Sequence, residues 1–457
     1  MTSFTSLPLN KDFLSNLDSL GYKEMTPIQQ QSIHQVLAGK DIIAQAKTGS
    51  GKTAAFGIGL LNKLDSQTYL TQAIILCPTR ELADQVSKEM RRLARPIPNI
   101  KISTLCGGTP IVPQYASLEH KPHIVVGTPG RILKHLEKGT LKLDNLNTLV
   151  LDEADRMLDM GFSDDIMHII DKTPDKRQSL LFSATFPSQI KKISRSIQTN
   201  PIEIRVESLH DDSNIKQVFY EIDHHARTST LVSLLEHYTP RSSVIFCNRK
   251  QQCKELAEEL WSLGFHAVAL HGDLDQKERD QKLVQFSNKS SSILIATDVA
   301  ARGLDIKDLE AVIIFELSPD PEIHIHRIGR TGRAGSEGLA LSLFTPSETP
   351  KLNAIEDYQK SPVKIENTSS LKIKNSTPIK PPMSTLCINA GRKNKIRAGD
   401  ILGALTKNTS LPGKHIGKID IFDVVAYVAV ENAFVKQALK ILSDGKIKGR
   451  NYRVRKI

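Results

Sequence analysis

The sequence lacks the features that mark secreted, membrane-spanning or zinc-binding proteins. Its five cysteines are odd in number and no two of them form a C-x-x-C pair, which argues against a disulfide framework or a zinc module. No apolar run approaches the roughly 18 residues that a membrane-spanning helix needs, and the start, MTSFTSLPLNK, does not resemble a secretory signal. We therefore expect a soluble protein of a reducing, cytoplasmic compartment.

The positive charge of the chain is concentrated near its C-terminal end. The 457 residues carry a formal net charge of +11. Residues 381–457 hold 15 Lys and Arg against 5 Asp and Glu, whereas the preceding 380 residues hold 46 against 45. Such asymmetry indicates a polyanionic partner, either a nucleic acid or an anionic membrane surface.

Short apolar runs recur through residues 1–345 and are separated by stretches of helix length. Continuous apolar strands that alternate with helices are typical of parallel sheets covered on both faces. A polar, turn-rich break near residues 205–216 divides the runs, so we predict two α/β domains, at residues 1–205 and 216–360. The predicted strands include residues 42–44, 73–77, 123–127, 148–151 and 179–182, then 243–247, 267–270, 292–296, 311–315 and 339–344.

The remaining residues predict a linker and a small third domain. Residues 361–382 are rich in Ser, Thr, Pro and Lys, which favours a flexible linker over a folded element. Residues 383–457 then follow the order β-α-β-β-α-β. This is the ferredoxin-like order, which also occurs in RNA-recognition modules.

Reactive polar residues follow the apolar runs at the ends of the predicted strands. The segments PTR, TPGR, DEAD, SAT and TD each come directly after a run. Because ligands of open α/β sheets bind outside the carboxyl ends of the strands, both domains are expected to present their chemistry at one edge. A cleft between the two domains is the natural place for an active site.

The segment AKTGSGKT has the composition of a phosphate-binding loop. Gly49 and Gly51 let successive N–H groups turn inward toward phosphate oxygens, and the helix predicted next adds its N-terminal donors. Lys52 is expected to contact the β- and γ-phosphates, and Thr53 to place its hydroxyl on Mg²⁺. The strict pattern has Gly where this chain has Ala46. The predicted loop consists of Ala46, Lys47, Thr48, Gly49, Ser50, Gly51, Lys52 and Thr53.

Two further segments complete a hydrolytic constellation. Asp152 ends an apolar run, where a Mg²⁺ ligand of a phosphate-loop enzyme belongs, and Glu153 is placed to orient or deprotonate the attacking water. The glycine-rich segment HRIGRTGRAG supplies Arg330 and Arg333, which can stabilise charge on a transferring phosphoryl group.

Taken in order along residues 4–344, these motifs resemble those of the DEAD-box ATP-dependent RNA helicases. The resemblance implies two RecA-like parallel-sheet P-loop domains in tandem, with ATP and Mg²⁺ as cofactors. It implies that Gln29 reads adenine within GYKEMTPIQ, near Tyr22 and an upstream aromatic, Phe4, and that Asp305 contacts the nucleotide sugar. Ser183, Thr185 and His326 would couple hydrolysis to unwinding. The implied RNA contacts of the two domains are Pro78, Thr79, Arg80, Gly107, Gly108, Thr128, Pro129, Gly130, Arg131, Gln276, Arg279 and Thr297.

The C-terminal domain narrows the resemblance to the bacterial DbpA subfamily. Members use such a module to bind a hairpin of large-subunit (23S) ribosomal RNA near the peptidyl-transferase centre, on precursors of the 50S particle. Here the first predicted strand has no aromatic residue and the third offers only Tyr427, so charge is expected to dominate binding. The predicted RNA contacts are Arg392, Lys393, Lys395, Arg397, Lys446, Lys448, Arg450 and Arg453.

The sequence therefore predicts an RNA-stimulated ATPase that unwinds short RNA duplexes locally during ribosome assembly, with no membrane or DNA partner. One alternative stays open, because an ATP-gated RNA clamp or assembly scaffold with little strand separation would carry the same motifs. A DNA translocase is disfavoured by the DEAD and SAT strings.

Overall fold

Two separate units account for the residues that the structure describes, one on each side of residues 207–214. The computed structural model describes residues 2–46, 49–185, 188–206, 215–301, 309–332, 337–372, 378–407 and 411–457. No helix in these ranges is both long and apolar enough to span a lipid bilayer.

The first unit is a seven-stranded parallel sheet with helices on both faces. Its strands are β1 (Ile42–Gln45), β2 (Ala73–Leu76), β3 (Ile102–Leu105), β4 (Ile124–Gly127), β5 (Thr148–Asp152), β6 (Gln178–Ser183) and β7 (Ile202–Arg205). Its helices are α1 (Lys11–Ser19), α2 (Pro27–Leu37), α3 (Lys52–Lys63), α4 (Arg80–Leu93), α5 (Val112–Glu119), α6 (Pro129–Glu137), α7 (Ala154–Asp159), α8 (Ser163–Ile170) and α9 (Ser188–Ile197). The strand order is β3-β4-β2-β5-β6-β1-β7.

The second unit begins with a similar parallel sheet, of order β10-β11-β9-β12-β13-β8-β14. Its strands are β8 (Ile215–Glu221), β9 (Ser243–Phe246), β10 (Ala267–Leu270), β11 (Ile293–Ala296), β12 (Ala311–Ile314), β13 (Gly338–Phe344) and β14 (Ile365–Glu366). Its helices are α10 (Arg227–Tyr238), α11 (Lys250–Ser262), α12 (Gln276–Ser287), α13 (Asp298–Ala301), α14 (Pro321–Ile328) and α15 (Thr349–Gln359).

A four-stranded antiparallel sheet completes the second unit. Its elements are β15 (Met383–Ile388), α16 (Ala398–Thr406), β16 (Ile416–Ile421), β17 (Ala426–Glu431), α17 (Val435–Asp444) and β18 (Val454–Lys456), and its strand order is β16-β17-β15-β18. One sheet face packs on α16 and α17. The predicted fold class is confirmed: two RecA-like domains in tandem are followed by an RRM-like module.

The structure differs from the sequence prediction at the edges of the sheets. The strands β3 and β7 lie at the two edges of the first sheet, where burial alternates along the strand, so they form no continuous apolar run. The flexible linker expected over residues 361–382 is ordered in part, because β14 pairs with β8 and His237 Nδ1 accepts a hydrogen bond of 2.9 Å from Lys372 N. This segment extends the second sheet by one strand.

A buried ion pair holds α10 against the segment before α15. The guanidinium of Arg227 donates to Glu348 over 2.7 Å, and both side chains are about nine-tenths buried. Burial alone would raise the pKa of Glu348, but the hydrogen bond and charge of Arg227, together with hydrogen bonds from Thr345 and Lys351, outweigh it and the pKa falls below its usual value. Removing one partner leaves an uncompensated buried charge, which is strongly destabilising.

We predict that Arg227→Ala lowers the unfolding free energy of the second unit by about 3–5 kcal/mol. Urea unfolding followed by circular dichroism measures this change. The control is Lys250→Ala, which breaks the exposed pair of Lys250 with Asp273 (2.8 Å) and should leave stability almost unchanged. Equal effects of the two substitutions would contradict the assignment of Arg227 as a stabilising core residue.

Candidate nucleotide and RNA sites

The phosphate loop of the first unit lies between β1 and the N-terminus of α3. Gly49 and Gly51 both adopt positive φ, and Gly51 caps α3 with φ of 94°. Lys52 is the first residue of α3 and is 6% exposed, and its ammonium donates to the carbonyl of Ala46 over 3.0 Å. Lys47 and Thr48 lie outside the described residues. The loop therefore has the strand–loop–helix setting that a phosphate site requires.

The residues around Gln29 brace this loop. The Gln29 amide is 2% exposed, accepts from Thr26 N over 2.9 Å and donates to the carbonyl of Gly51 over 3.2 Å. The Thr26 hydroxyl donates to the carbonyl of Ser50 over 2.8 Å. Thr26 was not predicted as a site residue, although its T-x-x-Q spacing to Gln29 is the signal of a helix capping box. Gln29 thus touches the loop directly, and its reading of adenine stays a prediction.

Phe4 and Tyr22 lie together beside α4. Their rings make an edge contact with centroids 5.6 Å apart, and Phe4 is 2% exposed. The Tyr22 hydroxyl donates to Glu89 over 2.6 Å, and burial together with this carboxylate raises the pKa of Tyr22. Both aromatic rings are therefore part of the packing of the first unit, and a role for them in nucleotide binding stays a prediction.

The acidic segment begins at the last residue of β5. Asp152 is 2% exposed, and its Oδ1 has no hydrogen-bond partner among the described residues. Burial raises the pKa of Asp152 to about 7, against the opposing effect of Lys52. Glu153 adopts φ of 53°, in the left-handed region that costs a non-glycine residue roughly 1–2 kcal/mol. Glu153, which is buried and has a strained backbone, thus directly follows Asp152, whose Oδ1 is unpaired within the described ranges.

Asp155, which was not predicted as a site residue, connects the DEAD and SAT segments. Its Oδ2 accepts from Ala184 N over 3.2 Å and from both the N–H and the hydroxyl of Thr185 over 3.0 Å. Its own N–H donates to the hydroxyl of Ser183 over 3.3 Å. The signal for Asp155 was its place in the DEAD string. The structure supports a physical link between the hydrolytic segment and Ser183 and Thr185.

Three loops that the resemblance assigned to RNA meet at the edge formed by β2, β4 and β3. Arg80 lies at the start of α4 beside Gly108, where a Cβ would approach its guanidinium to 2.6 Å. Arg131 donates to the carbonyl of Thr109 over 3.0 Å, and Thr128 accepts from Gly107 N over 3.4 Å. Pro78 and Thr79 lead into α4, and Pro129 and Gly130 begin α6.

The predicted site residues of the second unit that the structure describes lie on α12, just before α13 and around α14. Arg279 donates to the carbonyl of Ala300 over 2.7 Å and so joins α12 to the segment after Thr297, while Gln276 donates to Asp280 over 2.6 Å. His326 lies on α14, and Arg330 follows its end. Asp305 and Arg333 lie outside the described residues.

Arg327, also missed from the sequence, connects three loops of the second unit. Its guanidinium makes two hydrogen bonds to Asp298, of 2.8 and 2.7 Å, one of 2.8 Å to Asn248 and one of 3.0 Å to the carbonyl of Glu316. It is 2% exposed and lies 5.4 Å from the ring of Phe246. The arginine count of HRIGRTGRAG gave the only sequence signal, because the partners of Arg327 come from distant strands. Arg327 therefore orients the neighbours of Thr297 and His326.

The C-terminal module brings its two basic segments together. Lys448 Nζ donates to the carbonyl of Lys395 over 2.7 Å, across 53 positions of sequence. All eight predicted basic residues are exposed: Arg392, Lys393, Lys395, Arg397, Lys446, Lys448, Arg450 and Arg453.

The outer face of the module's sheet is covered by α12. Tyr427 is 1% exposed and lies in an apolar cluster with Cys387, Val425 and Val284 of α12. The hydroxyl of Thr385 meets Asn288 Nδ2 over 2.8 Å, just beyond α12. Tyr427 is therefore a packing residue, and stacking of bases on this part of the sheet is blocked.

The phosphate loop, the adjoining acidic strand end and the two tandem parallel sheets define a helicase of the DEAD-box class. Residues 26–193 match the family described as DEAD/DEAH box helicase, residues 226–335 the helicase conserved C-terminal domain, and residues 385–456 the DbpA RNA binding domain. The chain belongs to the DbpA subfamily of DEAD-box ATP-dependent RNA helicases.

Relatives and solved structures agree with this assignment. The ATP-dependent RNA helicase DbpA of Escherichia coli (strain K12) is 52% identical over 456 residues, which cover 100% of this chain and 99% of the relative. The protein of the same name from Bacillus subtilis (strain 168) is 38% identical over 478 residues, with the same coverage. The structure of S. cerevisiae Dbp5 bound to RNA and ADP BeF3 is 30% identical with a TM-score of 0.72, and the match covers 81% of this chain and 97% of that one.

We predict that Gly51→Ala weakens ATP binding more than tenfold. A Cβ at Gly51 would collide with the Gln29 amide, and φ of 94° disfavours any side chain. Titration with a fluorescent ATP analogue measures the affinity. The control is Gly39→Ala, where φ is also positive but nothing lies within 4 Å of the added Cβ, so only backbone strain is introduced. Equal affinity of Gly51→Ala and wild type would show that the Gln29 brace is dispensable.

Proposed function

We propose that the C-terminal module directs this RNA helicase to a hairpin of large-subunit (23S) ribosomal RNA, on precursors of the 50S particle. The observation that carries the proposal is the contact between the two basic segments of the module, at Lys448 and Lys395. Because the outer sheet face is covered by α12, RNA would be held by these exposed loops, largely through its phosphates and its shape. This partner would place the protein in the cytoplasm.

We further propose that Thr53 and Asp152 hold Mg²⁺ together with ATP. Asp152 fits this role because its Oδ1 is buried without a partner among the described residues, and carboxylate and hydroxyl oxygens are the ligands that Mg²⁺ prefers. When bound, the ion supplies positive charge to the phosphate oxygens. Lys52 would contact the phosphates from the start of α3, and Gln29 would select adenine beside the loop that it braces.

In the proposed hydrolysis, Glu153 orients the attacking water. The strained backbone of Glu153 is the kind of local feature that accompanies catalytic positions. Arg330 and Arg333 would stabilise the charge of the transferring phosphoryl group. Asp155 accepts hydrogen bonds from Ala184 and Thr185, and through them ATP hydrolysis would change the loop after β6. That loop would in turn affect the bound RNA. We also propose domain boundaries at 1–205, 216–360 and 383–457, with residues 361–382 as a connecting segment from which β14 joins the second sheet.

We predict that Lys52→Ala and Glu153→Gln each reduce RNA-stimulated ATP hydrolysis by at least 100-fold, the order of effect of a positioned catalytic group. Phosphate release in the presence of saturating RNA measures the rate. Because Glu153→Gln keeps the side-chain size, it should retain ATP binding, which separates a catalytic from a folding defect. Near-normal turnover in either variant would overturn the assignment.

A second candidate function is an ATP-gated RNA clamp with little strand separation. The contacts of Asp155 with Ala184 and Thr185 would serve a clamp equally well, because they connect hydrolysis to RNA grip. A strand-displacement assay on a short duplex beside the rRNA hairpin separates the two functions. Displacement that requires hydrolysis, and is absent in Glu153→Gln, supports unwinding, whereas ATP-dependent retention of an intact duplex supports the clamp.

We predict that the double substitution Lys446→Ala and Arg450→Ala weakens binding of the rRNA hairpin by at least tenfold. Both side chains are exposed on the basic loops, and each lost phosphate contact should reduce the salt-dependence slope by about 1. Fluorescence anisotropy at several salt concentrations measures both quantities. The control is Lys436→Ala with Lys440→Ala, which removes the same charge from exposed positions of α17. Equal losses in the two double variants would mean that bulk charge, and not these loops, recognises the RNA.

A further inference from the structure

The chain's single tryptophan is exposed at the end of α11. The Trp261 side chain is 61% exposed and Leu263 is 49% exposed, whereas Cys253, Leu256 and Leu260 of the same helix are buried. The buried side chains on the opposite face therefore pack α11 against the second RecA-like domain. The indole meets the ring of His266 edge-on, with centroids 5.4 Å apart. No packing requirement of the described residues accounts for so large an exposed aromatic surface.

Two lysines from distant segments contribute positive charge to the surroundings of His266. The chain that enters the module passes next to Gly264, and Ile379 lines a shallow depression together with Phe265, so exposed Lys380 follows directly. Exposed Lys456 comes from β18 of the module. Burial, followed by the charges of Lys456 and Lys380, lowers the pKa of His266. These surroundings therefore favour the neutral form of the His266 imidazole.

Nearby carboxylates make the charge around Trp261 uneven. Glu258 and Glu259 are exposed one turn before Trp261 on α11, and Glu236 lines the pocket. A phosphate chain would be repelled by Glu258 and Glu259 and attracted by the two lysines. An exposed indole beside an imidazole on which two lysine charges act matches the way proteins bind unpaired nucleotides, by base stacking and backbone neutralisation.

We propose that Trp261, His266, Lys380 and Lys456 form an accessory site for single-stranded RNA, at which one unpaired base stacks on the indole of Trp261. Lys380 and Lys456 neutralise the adjoining phosphates. The site combines Trp261 of α11, in the second RecA-like domain, with Lys456 of β18 in the module. This proposal rests on the RNA helicase activity of the family and not on the rRNA target proposed above. The accessory site would bind any unpaired strand that leaves the module.

Because Trp261 is the chain's only tryptophan, its fluorescence reports on this site in the full-length protein. Unlabelled decamers of adenosine and of uridine are titrated without nucleotide, while anisotropy of a labelled decamer follows total binding. Stacking should quench the emission in a saturable way, and the quench should weaken with salt. Absence of quenching at RNA concentrations where anisotropy shows binding would overturn the proposal.

The variants separate this site from other RNA contacts. Trp261→Ala should lower RNA affinity about fivefold or more, the low end of what one stacked base contributes, and Trp261→Phe should restore most of it. Lys380→Ala with Lys456→Ala should shift the quenching curve by a similar factor. The exposed aromatic Tyr358 on α15 provides the matched control, and Tyr358→Ala should leave affinity unchanged.

Two outcomes contradict the proposal. A quenching curve that is unchanged in the double lysine variant means that Trp261 senses RNA bound elsewhere, and quenching by ribosomal proteins but not by RNA identifies a protein-docking surface. In Trp261→Ala, ATPase activity at saturating RNA should stay at the wild-type level. Failure of the accessory site is thereby distinguished from failure of the rRNA-targeting proposal, which the hairpin-binding assay of the module loops tests separately.

Discussion

Parallel pairing of β6 with both β5 and β1 is the constraint on which the chemistry of the first unit depends. Phe182 lies in register with Asp152 on one side and Ala44 on the other, so three strands end at the same level. The phosphate loop, the DEAD segment and the SAT segment must therefore start side by side. Hydrogen bonds such as those of Asp155 then complete an arrangement that the backbone ladder has already fixed.

Some buried charged side chains have an oppositely charged partner, and one has an oxygen without a hydrogen-bond partner in the part of the chain that the structure describes. Arg327 with Asp298, and Arg227 with Glu348, are paired within the second unit and hold loops in place. Asp152, by contrast, keeps an oxygen without a partner among the described residues, and its raised pKa reflects that burial. An unpaired buried carboxylate is costly, and the Mg²⁺-binding role that we propose for Asp152 would compensate that cost.

The sequence was sufficient for the parts of the fold that depend on local pattern. Apolar runs located the central strands to within a residue or two, but β3, β7 and β8 were missed because their burial alternates or is incomplete. Asp155 and Arg327 were missed because their roles are set by partners far along the chain. The burial of Tyr427 could not be predicted from the sequence either, because Val284, which packs against it, belongs to another domain.

The contact between α12 and the module's sheet has a consequence for work with fragments of this protein. A second domain cut before residue 383 would expose Val284, and an isolated module would expose Val425 and Tyr427 to water. Both pieces would carry a new apolar patch that favours self-association. Loss of activity on truncation would then mix aggregation with loss of RNA recognition, so point substitutions on the loops are the cleaner way to probe the module.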